Sequence, residues 1–319
     1  MKSFKIGDLT VKLPIIQGGM GVGVSLSGLA SAVANEGGVG VISCAGIGLL
    51  YPRFSKDYLT NSMMGLREEL RKARAKTRGI VGVNVMVALS NFSDMVRTAI
   101  SEKADIIFSG AGLPLDLPSY LREDSTTKLV PIVSSARAAR VICEKWKANY
   151  DYLPDALVVE GPKAGGHLGY KDIYRIMRLG ATGVQLGSKF VTTEECDASP
   201  TFKQTYIDSS KDDIEIIASP VGMPGRAIGG EFIRRVKEGL MRPKKCPFHC
   251  IKTCDYTKSP YCIIMALYNA AKGNLSRGYA FCGANAYMSK KITSVRETIE
   301  SLKSEFAAAC RRNGQTAVL

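Results

Sequence analysis

Apolar residues in this chain fall into short continuous runs that alternate with longer segments of helical period. Leu13 to Gln17, Val39 to Ser43, Ile80 to Val87, Asp105 to Phe108, Leu129 to Val133, Ala156 to Val159 and Gly183 to Val191 form seven such runs. Runs this short and unbroken suit strands buried on both faces of a parallel sheet. Between them, Ser27 to Asn35 reads as a helix stopped by Gly37-Gly38, and about Asn61 to Thr77 as a second helix. Ser93 caps a helix that runs to Lys103, Ser135 starts one through Trp146, and Ile173 to Leu179 is helical. After about Ser199 the alternation stops. Ser219 to Arg226 reads as a loop, Cys246 to Cys262 as a cysteine-rich segment, and Ile263 to Ala271 as a helix. Ser294 and Glu297 form a capping box before a last helix with Val295, Ile299, Leu302 and Phe306 on one face.

Each strand ends in small or polar residues: Gly18-Gly19-Met20, Ser43 to Gly46, Asn84, Ser109 to Gly112, Ser134-Ser135, Gly161 to Gly169 and Gly187-Ser188. A (β/α)8 barrel places its ligand site at the carboxyl ends of its strands, and these endings fit that geometry. An open doubly wound sheet is the competing architecture, but no G-x-G-x-x-G opens a helix with an acidic residue at the expected distance. The expected fold is therefore α/β, a TIM (β/α)8-type barrel with an additional C-terminal helical segment. Residues 1–198 would form the barrel, 199–280 a mostly helical, cysteine-containing segment on the substrate side, and 281–319 a segment and helix returning to the barrel.

Composition narrows the picture. With 45% hydrophobic residues the 319-residue chain can bury a large core. No apolar run approaches the ~20 residues needed to cross a bilayer. The N-terminus lacks the apolar region of a signal peptide. Nine unevenly spaced cysteines, an odd number, argue for a reducing compartment. The expected location is cytoplasmic. A net charge of +14 raises the question of nucleic acid, yet the basic residues are dispersed. Their densest cluster, Arg67 to Arg78, shares a helix with Met63, Leu66, Leu70 and Ala73 on the other face and a Glu68–Lys72 i,i+4 pair. No stacking aromatics interleave with it, so it reads as a solvated face, with neither nucleic acid nor membrane as a partner.

Two places carry candidate chemistry. The apolar run ending at Val159 leads into Gly165-Gly166-His167-Leu168-Gly169, which holds one of only two histidines. Histidine suits proton transfer near neutral pH, and paired glycines allow a backbone to approach a flat or anionic ligand. Taken alone, so short a motif is as readily a structural turn. Cys246, Cys250 and Cys254 are spaced x3-x3, with His249 inside and Cys262 and Cys282 beyond. That spacing matches neither a zinc ribbon nor a ferredoxin, so these read as reduced thiols around a loop, with no metal assigned.

Gln17-Gly18-Gly19-Met20-Gly21, Gly82-Val83-Asn84, Ala164-Gly165-Gly166-His167 and Gly183-Val184-Gln185-Leu186-Gly187-Ser188 occur in one order, with Gly283-Ala284-Asn285 near the C-terminus. In this ordered set the sequence resembles the nitronate monooxygenase family, formerly 2-nitropropane dioxygenases, which includes FMN-dependent enoyl-acyl carrier protein reductases. The resemblance implies FMN as cofactor. It also implies that Gly18, Gly19 and Met20 edge the isoalloxazine ring and that Asn84 hydrogen-bonds the flavin. Gly165 and Gly166 would pass beside the cofactor, His167 would be the catalytic histidine, and Gln185, Gly187 and Ser188 would belong to one of two phosphate-holding loops. The expected activity is oxidation of alkyl nitronates or nitroalkanes, with oxygen, to carbonyl compounds and nitrite. The alternatives are an enoyl-acyl carrier protein reductase using NAD(P)H, and a barrel that has lost FMN and only binds. The expected assembly is a homodimer. One departure stands out: where the family pattern has a further helix and strand carrying the other phosphate loop, Tyr170 runs directly into Lys171. One βα unit is missing there, and the expectation is a break in the chain at that junction.

Overall fold

The computed structural model describes residues 1–161, 170–220 and 224–313. Strands β1 (Phe4–Ile6) and β2 (Leu9–Val11) form an antiparallel hairpin. The main sheet follows by alternation of strand and helix, broken once between β6 and β7, where only a short 3-10 turn (Leu117–Tyr120) intervenes: β3 (Ile15–Gln17), α1 (Ser27–Asn35), β4 (Val39–Ser43), α2 (Tyr58–Lys76), β5 (Ile80–Met86), α3 (Phe92–Ser101), β6 (Ile106–Gly110), β7 (Lys128–Val133), α4 (Ala136–Tyr150), β8 (Val158–Val159), α5 (Tyr170–Arg178) and β9 (Val184–Leu186). The seven strands pair in the order β8-β7-β6-β5-β4-β3-β9, all parallel. The result is an α/β, TIM-type barrel with seven strands among the described residues.

Both faces of the sheet are buried, which is why its strands read as unbroken apolar runs. Inside, Ile16, Val39, Val41, Ile106, Phe108 and Val130 pack with Ile6 and Val11, so the β1–β2 hairpin plugs the amino-terminal end. Outside, Val81, Val83, Val85, Ile107 and Leu129 pack against Leu66 and Leu70 of α2, Met95 and Val96 of α3, and Ile142 and Trp146 of α4. The ion pair expected along α2 is present, with Lys72 Nζ 3.4 Å from Glu68 Oε1. No helix among the described residues is long and apolar enough to cross a membrane.

Strands β8 and β9 are the two ends of the sheet, and no described strand lies between them. Large apolar side chains stand exposed on either side of this seam: Val159 at 71%, Leu157 at 38% and Leu179 at 81%. An eighth βα unit would cover them. The expected break at Tyr170–Lys171 is not found, because the two residues are consecutive in α5.

Three element assignments also differ from the sequence reading. Gly183 to Val191 is not one strand: β9 pairs with β3 only from Ile15↔Val184 to Gln17↔Leu186. Beyond that β3 has ended and offers no ladder, so the chain turns at Gly187 into the short helix α6 (Ser188–Val191). Helix α3 has Asn91, not Ser93, at its N-cap; Ser93 sits in the first turn with its Oγ 2.8 Å from the Tyr120 hydroxyl. After α7 (Pro200–Asp208), an antiparallel pair forms from β10 (Ile214–Ala218) and β11 (Pro224–Ile228), taking Pro224 to Arg226 out of the expected loop. Proline is tolerated at the first position of such a strand, where its missing N–H costs no ladder bond. Three helices complete the chain: α8 (Glu231–Lys237), α9 (Ile263–Ala271) and α10 (Val295–Arg312). The capping box of α10 is formed as expected, with Glu297 N donating to Ser294 Oγ at 3.1 Å and Ser294 N to Glu297 Oε2 at 2.8 Å. Its apolar face, Val295, Ile299, Leu302 and Phe306, packs with Leu29 and Val33 of α1, Ile173 of α5 and Phe190 of α6.

Helix α1 borrows its cap from far along the chain. Asp197 accepts hydrogen bonds from Leu26 N at 2.7 Å, Gly28 N at 3.0 Å and Leu29 N at 3.1 Å. Burial raises the pKa of its carboxyl, and these N–H donors pull it back. Replacing a capping carboxylate removes about 0.5–2 kcal/mol, so Asp197→Ala should lower unfolding free energy by about that amount in urea titrations. Asp197→Asn keeps an acceptor and should lose less. Because the folded-state pKa is raised, Asp197 stabilises the fold most below the ordinary carboxylate pKa, and this contribution declines as pH rises through the raised value. The Asn variant should lack that part of the pH slope.

Candidate functional site

The strand endings meet at the carboxyl-terminal mouth of the barrel. There β3 pairs with β4 only at Ile16↔Val39, and the buried Gln17 side chain takes over. Its Oε1 accepts from Val41 N at 2.9 Å, and its Nε2 donates to the carbonyl of Gly18. On the other side Gly18 N donates to Leu186 O at 2.8 Å, extending the β3–β9 ladder by one bond. The backbone of Gly18 to Met20 is thus led across the mouth between two strands.

Most of the described site residues expected from the sequence lie close to one another. A Cβ on Gly18 would lie 3.5 Å from Gln185 Nε2, an ordinary contact. A Cβ on Gly19 would lie 2.3 Å from Asn84 Cβ, which no real pair tolerates, so Gly19 is glycine because Asn84 lies against it. A Cβ on Gly187 would meet Met20 Sδ at 3.4 Å. Ser188 Oγ accepts from Gly283 N at 3.0 Å, which ties the Gly283-Ala284-Asn285 segment to the end of β9. Gly165, Gly166 and His167 lie outside the described residues.

Two serines that sequence reading did not assign to the site also belong there. Ser25 clamps the turn: Met20 N donates to its Oγ at 2.8 Å, its own N donates to Met20 O at 3.0 Å, and its carbonyl accepts from Ser43 N at 3.0 Å. Ser43, the last residue of β4, pairs in register with Asn84. Its Oγ is buried without a hydrogen-bond partner, close to where a Cβ on Gly21 would be (3.3 Å). A buried hydroxyl left unpaired is costly, and such an atom beside a partly exposed carboxamide invites a polar ligand. Its one sequence signal was its place at a strand end. The neighbouring Cys44 is not a nucleophile, since burial pushes its thiol far above the usual range.

The sequence matches the nitronate monooxygenase family over residues 2–175 and again over 169–305. The chain belongs to that family. Its members are oxidoreductases, and this chain is accordingly an enzyme of that broad class. The match divides at the stretch where one βα unit was found wanting. A 5-hydroxy-7a-methyl-1-oxo-octahydro-1H-indene-4-carboxyl-CoA dehydrogenase of Mycobacterium tuberculosis is 23% identical, with 72% of this chain and 66% of that protein aligned. The chain thus spans just under two thirds of that relative's length. A probable nitronate monooxygenase of Staphylococcus saprophyticus is also 23% identical, with 73% of this chain and 80% of that protein aligned. Among solved structures, FabK from Thermotoga maritima is 25% identical at a TM-score of 0.72, covering 95% of each chain. A nitroalkane oxidase from Streptomyces ansochromogenes shares the fold at 17% identity and a TM-score of 0.72, over 94% of this chain and 97% of the other.

The contact between Gly19 and Asn84 is testable without any ligand. Gly19→Ala forces a methyl group into the Asn84 side chain, and overpacking of this kind costs about 1–3 kcal/mol. Adding Asn84→Gly, which removes the clashing Cβ, should restore most of that loss. A double-mutant cycle on urea unfolding should therefore show strong coupling between the two sites, whereas additive losses would mean that the pair does not touch.

Proposed function

We propose that this chain is an FMN-dependent oxidoreductase of the nitronate monooxygenase kind, converting alkyl nitronates or nitroalkanes to carbonyl compounds and nitrite with oxygen as acceptor. The observation that carries this reading is the convergence of Gly18, Gly19, Met20, Asn84, Gln185 and Gly187 at the barrel mouth of a family member. The residues fit the ring side of a flavin. Gly19 keeps the surface beside Asn84 flat, and Asn84 and the unpaired Ser43 Oγ offer polar groups to a heterocycle's edge. Gly187 and Ser188, tied to Gly283, would hold the phosphate, although the second phosphate loop of the family pattern is missing from this sequence.

Bound FMN would supply the two-electron chemistry, which protein side chains lack. The chain's own residues would orient substrate and manage its proton. In this reading His167 is the general base that takes the carbon-bound proton of a neutral nitroalkane. Its glycine neighbours would let the backbone pass close to the ring.

A second reading, an enoyl-thioester reductase using NAD(P)H and FMN, draws on the likeness to FabK and on the CoA-thioester dehydrogenase among the relatives. Oxygen consumption with a propyl nitronate, set against NADH oxidation with a crotonyl thioester, separates the two.

Replacing His167 with Ala should reduce turnover of neutral nitroalkanes about 10²–10⁴-fold, the usual contribution of a general base. Preformed nitronates, which have already lost that proton, should be turned over nearly as before, with flavin content unchanged. Equal losses on both substrates would make His167 a binding residue instead.

A further inference from the structure

The cysteine-rich loop is anchored to the chain leaving β5. Leu89 and Ile251 form an antiparallel bridge, Ser90 N donates to Cys250 O at 3.1 Å, and Lys252 N to Ala88 O at 2.9 Å. His249 adopts φ 43°, in the left-handed region uncommon for a non-glycine residue, and turns the chain sharply between Cys246 and Cys250. Cys262 stands at the N-cap of α9. With these constraints Cys246, Cys250, Cys254 and Cys262 all line one small pocket.

All four are free thiols, and the other five cysteines of the chain lie outside this pocket. Yet among the described residues no three His, Cys, Asp or Glu side chains converge tightly enough to hold a single metal ion. In number and type, four thiols that wall one cavity match the ligand set of a polynuclear centre, in which each sulfur binds a different iron. Three ligands close in sequence with a fourth further on is also the plan of iron–sulfur motifs, here with spacers of three residues instead of two. The pocket suits the charge of such a centre. Lys245 lines it, and two of its other lining residues, Cys250 and Ile251, belong to the main apolar core.

We propose that Cys246, Cys250, Cys254 and Cys262 ligate an iron–sulfur cluster of the [4Fe–4S] type. On binding, each thiol releases its proton to solvent and each thiolate forms one sulfur–iron bond. The core brings its own iron and sulfide, and the cysteine sulfurs are neither oxidised nor reduced.

The test is made on the full chain purified without oxygen, both as isolated and after reconstitution with ferric iron, sulfide and dithiothreitol followed by desalting. The expected result is about four irons and about four acid-labile sulfides per chain. Dithionite should then generate the electron paramagnetic resonance signal of a reduced cluster, which a flavin does not give. Cys246→Ser and Cys254→Ser, at partly exposed positions, should lose most of the iron and sulfide while keeping the far-ultraviolet circular dichroism of the parent. Cys143→Ser, on α4 outside the pocket, should keep both. Iron without sulfide, zinc without sulfide, or full cluster content in the Cys246 and Cys254 variants would overturn the assignment.

Discussion

Strand β3 gives up its backbone ladder to β4 after one residue pair, and the buried carboxamide of Gln17 bridges the two strands in its place. The rest of the mouth follows from that substitution. A side chain that accepts from Val41 N and donates to the Gly18 carbonyl lets the main chain leave the sheet without stranding buried polar groups. Released in this way, Gly18 to Met20 pass between β9 and β5. They meet Gln185 and Gly187 on one side and Asn84 on the other. The absence of a side chain at Gly19 then becomes a steric requirement, and Ser25 fixes the return of the chain with its own hydrogen bonds.

Among the described residues no strand joins β8 to β9, which changes how the barrel is held together. A closed barrel has no sheet edge, whereas here two parallel strands end the sheet and Val159 and Leu179 face outward beside them. What secures the β9 side is helix packing. Helix α10 brings Ile299, Leu302 and Phe306 against Ile173 and Leu29, and Thr293 bridges back to Thr193. The β8 side has only a two-residue strand paired with β7. The family match divides at the same stretch.

Much of the fold was legible because fully buried parallel strands leave an unambiguous trace. Val39 to Ser43 and the helix from Ser27 to Asn35 were read with their observed limits, as was the capping box at Ser294. The extent of β9 could not be read, because Phe190 and Val191 resume the apolar run after Gly187-Ser188-Lys189 and only the end of β3 decides where pairing stops. The β10–β11 pair was missed because Pro224 and Gly225 signal a turn locally, while their pairing partners lie several residues earlier. At the mouth, the described residues of the glycine motifs lie beside one another. Ser43 and Ser25 went unassigned, since a serine at a strand end or turn carries no signal until its hydrogen bonds are seen. The cysteine loop shows the same limit. Its spacing argued against a metal, and only the fold brings Cys262 to the pocket of the other three.

The central claim is that this seven-stranded mouth still binds FMN without one of the family's two phosphate loops. Titrating free FMN with the purified chain while following flavin fluorescence tests it most directly, with riboflavin, which lacks the phosphate, as the comparison. The account predicts saturable, stoichiometric quenching for FMN and clearly weaker binding of riboflavin, the difference being the contribution of Gly187 and Ser188. A folded protein that leaves the fluorescence of both flavins unchanged would contradict it.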